Sequence, residues 1–178
     1  MYKDLERIMF DEEALEAKVA ELGASLTEDY RDKNPMVVGI LNGAMVFYAD
    51  LIRQLKIPME TDFMKVSSYG ASSVSSENVQ IKKDLDVDIA GRHIVLVEDI
   101  IDSGNTMLYL LNRLKDRGAA SVKLCALFSK PARRKVTVDV DYLGWEIPDE
   151  FVVGYGLDFA ERYRNLPVVG VLKREVYE

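Results

Sequence analysis

The chain has 178 residues, 48% of them hydrophobic and 30% charged, which suits one domain over residues 1–178 with a full-sized core. With 30 acids against 23 bases the net charge is −7, which argues against a broad nucleic-acid surface but leaves room for an anion held in a local pocket or through a bound cation. A single cysteine, Cys125, excludes an internal disulfide. A single histidine, His93, gives a His-based zinc site or a Ser–His relay little to work with.

Residues 5–26 carry Ile8, Phe10, Leu15, Val19, Leu22 and Leu26 among charges, and predict one amphipathic helix with Asp11-Glu12-Glu13 as an acidic start. Residues 36–41 read as a buried strand, Asn42-Gly43-Ala44 as its turn, and Phe47, Leu51, Ile52 and Leu55 as a helix face stopped by Pro58. Residues 60–67 form a further strand. Residues 68–78 are small and polar and predict an excursion that can serve as a lid, before a strand resumes at Val79. Asp84, Asp86 and Asp88 lack the glycine and terminal glutamate of a calcium loop and are expected to be a solvated face.

Residues 94–106 are the most informative stretch. Four apolar residues, Ile94 to Val97, lead into Glu98 and Asp99; Ile100-Ile101 follow, then Asp102-Ser103-Gly104-Asn105-Thr106. Met107, Leu108, Leu110, Leu111 and Leu114 continue at helical spacing to a cap at Gly118. This order is strand, loop, helix N-terminus. Free backbone N–H groups and the dipole at such a helix start favour a phosphate, and Gly104 permits close approach or positive φ. Glu98 and Asp99, near the strand end, can take the two vicinal hydroxyls of a sugar or a magnesium-bound water. Asp102 is placed to reach a group attached to that sugar. Either feature alone is ordinary, a helix cap or a pair of solvated acids; together they fit a sugar phosphate.

Residues 121–128 predict another strand containing an inert, buried Cys125, closed by Lys130-Pro131. By position alone Lys130 is an ordinary strand-end lysine, and Arg133-Arg134-Lys135 an ordinary solvated basic patch. Val136, Val138 and Val140 alternate with polar neighbours; residues 142–147 are extended, and Val168 to Leu172 is a short apolar run. The whole predicts an α/β fold with a mainly parallel central sheet flanked by helices, and a small hood of the N-terminal helix and the C-terminal segment. No apolar run is long enough to span a bilayer and no apolar leader is seen, so a cytoplasmic protein without a membrane partner is expected.

The run 98–106 resembles the phosphoribosyl-diphosphate motif of type I phosphoribosyltransferases. Gly39-Ile40-Leu41-Asn42-Gly43-Ala44, Ser67-Ser68-Tyr69-Gly70, Lys82-Lys83-Asp84-Leu85-Asp86 and Phe128-Ser129-Lys130-Pro131 follow the family order. The tail Gly144-Trp145-Glu146-Ile147-Pro148-Asp149-Glu150-Phe151-Val152-Val153-Gly154-Tyr155-Gly156-Leu157-Asp158, with Tyr163-Arg164-Asn165-Leu166-Pro167, picks out the bacterial 6-oxopurine branch. The resemblance implies transfer of a 5-phosphoribosyl group from 5-phosphoribosyl 1-diphosphate to hypoxanthine or guanine, with Mg2+, in a homodimer or homotetramer. It implies that Glu98 and Asp99 hold the ribose hydroxyls and magnesium, and that Asp102 exchanges a proton near N7. Residues Asp102, Ser103, Gly104, Asn105 and Thr106 would cradle the 5-phosphate. Lys130 would donate to O6, Phe151 would stack on the base, and the Val152 backbone would read its edge. Asp158, grouped with the purine-binding residues, would hold a second magnesium bridging diphosphate. Asn42, Gly43 and Arg164 would bind diphosphate, through a loop that often contains a cis peptide, while Ser68 and Tyr69 would close as a lid. A regulator on the same fold is the alternative; it needs a basic nucleic-acid surface that this chain does not show. Two departures stand out. Asn42 occupies a position where relatives often carry lysine, which implies weaker diphosphate affinity. Glu77-Asn78 replaces a glycine followed by an acid in the lid.

Overall fold

The first apolar residues make a strand, where the periodicity predicts a helix. A computed structural model describes residues 1–68 and 79–178. In it β1 (Leu5–Phe10) is extended, and only Leu5 is fully buried along it. Asp11 then stops the strand: its backbone is extended and its side chain accepts from the Ala14 N–H at 2.9 Å, capping α1 (Glu12–Asp29). The acidic start is therefore real, but it divides the segment instead of opening it.

Next come β2 (Met36–Leu41), α2 (Met45–Gln54), β3 (Glu60–Ser68), β4 (Val79–Lys83), β5 (His93–Ile101), α3 (Asn105–Asp116), β6 (Ser121–Ser129) and β7 (Tyr142–Glu146). These strands form one sheet in the order β4-β3-β2-β5-β6-β7, parallel throughout except for the β3–β4 pair. Alternate residues of β5 serve opposite faces. Val95 and Val97 pack with α1 and α2, through Leu15, Leu22, Phe47 and Leu51. Ile94 and Leu96 pack with α3, through Met107, Leu110 and Leu114. Burial on both faces is why this strand reads as an unbroken apolar run. Cys125 is fully buried in β6, and burial pushes its thiol far above the ordinary range.

A second, antiparallel sheet has the order β1-β9-β8, with β8 (Val152–Val153) and β9 (Val169–Leu172). It is the hood. Its N-terminal contribution is β1, whereas α1 packs along the main sheet beside α2. The short helix α4 (Arg174–Tyr177) closes the chain against it.

The alternating Val138 and Val140 tuck against the α3 side of the core from irregular backbone. A further expectation is revised. The acids after β4 are not simply solvated: Asp84 accepts from Arg113 at 2.6 Å and Arg117 at 2.8 Å, both on or at the end of α3. Burial pushes the Asp84 carboxyl up, but the Arg113 and Leu85 N–H bonds and the two guanidinium charges outweigh it and hold it below the ordinary value. Asp84→Ala is expected to cost about 1 kcal/mol at neutral pH, the modest value of a half-exposed ion-pair network. Because folding lowers this pKa, the contribution is full above about pH 4 and fades as pH falls through the folded value. Thermal melts of the two proteins at neutral and acid pH should therefore converge on acidification.

Candidate active site

Strand order places the site. The chain leaves β2 toward β3 on one side, and leaves β5 toward β6 on the other, so β2 and β5 flank a topological switch point. Ligands of open α/β sheets bind outside the carboxyl ends of such strands. Here the loop after β2 holds Asn42 and Gly43, and the loop after β5 holds Asp102, Ser103 and Gly104.

Glu98 and Asp99 lie within β5 itself, each only 9% exposed. The Asp99 N–H donates to Glu98 Oε1 at 3.1 Å, and the Ile100 N–H donates to Asp99 Oδ1 at 2.8 Å. Burial, then the neighbouring Asp99 charge, push the Glu98 carboxyl well above the ordinary carboxylate range. Two adjacent buried acids with no cation paired to them among the described residues fit a divalent ion or the hydroxyls of a sugar. Among the described residues no three carboxylate, histidine or cysteine groups cluster as a metal site by themselves, so an ion here would complete its shell with substrate oxygens and water.

Gly43 closes over this pair. A Cβ at position 43 would stand 1.9 Å from Asp99 Oδ2, so only glycine lets the loop lie there. The bond Leu41–Asn42 preceding it is cis. Gly43→Ala is expected to displace the Asp99 carboxylate and raise KM for a sugar phosphate about tenfold, a partial misplacement penalty. The melting temperature should fall as well, because the loop or the buried carboxylate must give way.

After β5 the backbone turns through Gly104, whose φ of 87° is left-handed and which caps α3 without a side chain. The cap reading for Asp102 and Ser103 is thereby set aside: Ser103 Oγ only weakly accepts from the Asn105 N–H, at 3.4 Å. The first amides of α3 stay open to an anion. Asp102 is about half exposed, and its Oδ1 lies 4.0 Å from Lys130 Nζ. Lys130 is 5% exposed, at the carboxyl end of β6, and its N–H is bonded to the Ile101 carbonyl at 3.0 Å. Burial lowers the Lys130 pKa, against the pull of Asp102, Asp149 and Glu150. A cavity of 570 Å³ opens here, lined by Glu98, Asp102, Ser103, Thr106, Arg133 and Lys135 among others. That is the size of a small-molecule site.

The pattern of the phosphoribosyl transferase domain matches residues 8–160. The hypoxanthine-guanine phosphoribosyltransferase of Bacillus subtilis (strain 168) is 53% identical over 178 residues, covering 100% of this chain and 99% of that one. The enzyme of that name from Streptococcus thermophilus is 51% identical over 175 residues, with 98% and 97% covered. A crystal structure of a hypoxanthine phosphoribosyltransferase from Staphylococcus aureus superposes with a TM-score of 0.96 at 44% identity, covering 100% of this chain and 97% of that one. This chain belongs to the hypoxanthine-guanine phosphoribosyltransferase family.

The family tail is built into the hood. Phe151 stacks on Tyr177 at 4.8 Å and meets Phe159 edge-on at 5.6 Å, so part of its surface is taken by neighbours in the chain. Val152 is buried in β8. Asp158 is turned toward its own loop: Oδ1 pairs with Arg164 at 3.0 Å and Oδ2 accepts from the Glu161 N–H at 2.9 Å. The structure does not join it to Glu98 and Asp99 in one carboxylate cluster. Tyr155, Ala160, Glu161 and Tyr163 all have positive φ, a concentration of unfavourable backbone typical of functional loops. Arg164 also donates to the Gly156 carbonyl at 2.8 Å, and Gly156 abuts the Gly43 carbonyl, where a Cβ would stand 2.2 Å away. Asp99, Gly43, Gly156 and Arg164 are thus successive layers of one packed stack. Ser68 is the last residue of β3, its backbone paired with Val79; Tyr69 and the rest of the lid segment lie outside the described residues.

The sequence reading missed the segment after Lys130. Arg134 donates to Ser129 Oγ at 2.6 Å, and the Lys135 and Val136 N–H groups donate to the Ser103 carbonyl at 2.9 and 3.3 Å. Arg133 and Lys135 are exposed, as a solvated patch would be, but Arg134 is half-buried and packs against the turn at Gly104. The available signal was position: three consecutive cations just past the carboxyl end of a central parallel strand.

Proposed function

We propose that the chain transfers a 5-phosphoribosyl group from 5-phospho-α-D-ribose 1-diphosphate to N9 of hypoxanthine or guanine, giving IMP or GMP and diphosphate. The observation that carries this reading is the 4.0 Å approach of Asp102 to a buried Lys130 beside the acid pair and the uncapped start of α3. As a pentosyltransferase the chain must hold a phosphate, a ribose and an acceptor at once. The amides of residues 103–106 take the phosphate, Glu98 and Asp99 the two ring hydroxyls, and the anomeric carbon is left open toward Asp102. Lys130 has only donors, so it favours a 6-oxo group over a 6-amino group. Asp102 accepts the proton that leaves N7 as N9 bonds to the anomeric carbon.

Magnesium suits the acid pair, with Glu98 and Asp99 holding it directly or through water; when bound it neutralises charge growing on the departing diphosphate. Asn42, Gly43 and Arg164 are assigned to that diphosphate and Ser68 and Tyr69 to closure over it. Phe151 and Val152 are assigned to the base, and Asp158, also grouped with the base site, to a second ion at the diphosphate. The test is direct: purified chain, hypoxanthine, activated sugar and magnesium should give IMP and diphosphate in equal amounts. Tight binding of ribose 5-phosphate with no nucleoside monophosphate from any 6-oxopurine would refute the reading.

A further inference from the structure

Among the described residues, four arginines bury a guanidinium nitrogen that has no hydrogen-bond partner: Arg92, Arg113, Arg134 and Arg164. Three of them are explained by a carboxylate on the same guanidinium, Glu60, Asp84 and Asp158 respectively. Arg134 is not. Its Nη2 is spent on a neutral hydroxyl, Ser129 Oγ at 2.6 Å, and its Nη1 is buried and bare. A partly buried cation without an anion costs free energy, and such groups are retained when something else supplies the charge.

The surroundings show where that charge belongs. A Cβ built on Gly104 would lie 3.2 Å from Arg134 Nη1 and 3.2 Å from its Cδ, so the guanidinium sits directly behind the turn that opens α3. The next two residues grip the same turn: the Lys135 and Val136 N–H groups both donate to the Ser103 carbonyl. In a planar trans peptide the carbonyl and the following N–H point in opposite directions. With the Ser103 carbonyl drawn outward, the Gly104 N–H is directed to the other side of the turn. Ser103 and Gly104 both line the cavity.

We propose that Arg134 is a positioning residue for the 5-phosphate. Anchored by Ser129, it sets a fixed positive charge behind Gly104, and the strap it begins aims the amides of the turn at the anion. This rests on the assignment of residues 102–106 to a phosphate.

Arg134→Gln keeps a donor for Ser129 and removes the charge; Arg134→Lys keeps the charge. In Arg134→Gln, KM for the activated sugar and Kd for ribose 5-phosphate should rise about tenfold, the effect of one unit charge across a partly shielded gap. KM for hypoxanthine should stay within about twofold, since the base is held elsewhere. Arg134→Lys should recover most of the loss. The variant should also weaken GMP far more than guanosine, which lacks the phosphate. Unchanged ribose 5-phosphate affinity in Arg134→Gln, or equal weakening of guanosine and GMP, overturns the proposal. So does an equal loss in the Lys and Gln variants. If Arg134→Gln does not fold, Ser129→Ala frees the guanidinium without removing it, and the same GMP-to-guanosine comparison decides. Failure of the unaltered protein to bind ribose 5-phosphate at this turn would instead sink the phosphate assignment itself.

Discussion

Asp102→Asn is expected to lower turnover by about 10²- to 10⁴-fold, the range of a lost general acid–base group. Asparagine has nearly the same shape but no useful proton affinity. The variant therefore tests the proton-transfer role without emptying the site. Asp102 is about half exposed and holds no backbone amide among the described residues, so its loss leaves the turn and the acid pair standing. Kd for ribose 5-phosphate should change little, because its binding is assigned to Glu98, Asp99 and the amides at the start of α3. Single-turnover rates with saturating hypoxanthine would separate chemistry from binding. A parallel fall in rate and in ribose 5-phosphate affinity would assign Asp102 to binding or folding instead.

Lys130→Ala is expected to raise KM for hypoxanthine by about 10- to 100-fold, the value of a lost charge-assisted hydrogen bond, while KM for the activated sugar moves little. Discrimination against adenine should fall with it, since the proposal assigns to the donor-only ammonium the rejection of an amino group at that position. A pH arm adds a signature. Burial holds the Lys130 pKa below its ordinary value of about 10.4, even though Asp102 pulls it up. Base affinity should therefore weaken on the alkaline side, earlier than an exposed lysine would allow, and this limb should be absent from the variant. Loss of Lys130 also strips Asp102 of its 4.0 Å partner, so the two substitutions should be non-additive. Retained base selectivity in Lys130→Ala would remove this residue from the base site.

Sequence carried the centre of the molecule and lost its edges, for a physical reason. A strand buried on both faces, such as β5, must be apolar throughout, and an uncapped helix start must be small and flexible; both leave marks on adjacent residues. The acids of the site follow directly from them. β1 left a weak mark because its partner, β9, lies at the other end of the chain and only Leu5 is fully buried along it. Helical spacing in the next segment then swallowed it, although Asp11 marked the true boundary. Asp84 read as solvated because the arginines that bind it come from α3 and its end. The packing of Gly43 on Asp99, and of Gly156 on Gly43, is equally invisible locally, since it depends on strand order. Arg134 was misjudged for the same cause: its meaning comes from Gly104, on a neighbouring strand's loop.

The burial of Cys125 has a practical consequence. The sole thiol is fully enclosed, and its enclosure disfavours the reactive thiolate. The protein's surface is thus free of native sites for maleimide chemistry. A dye or spin label attached through Arg133→Cys, whose parent side chain is 52% exposed on the cavity wall, would report substrate arrival in real time without background labelling.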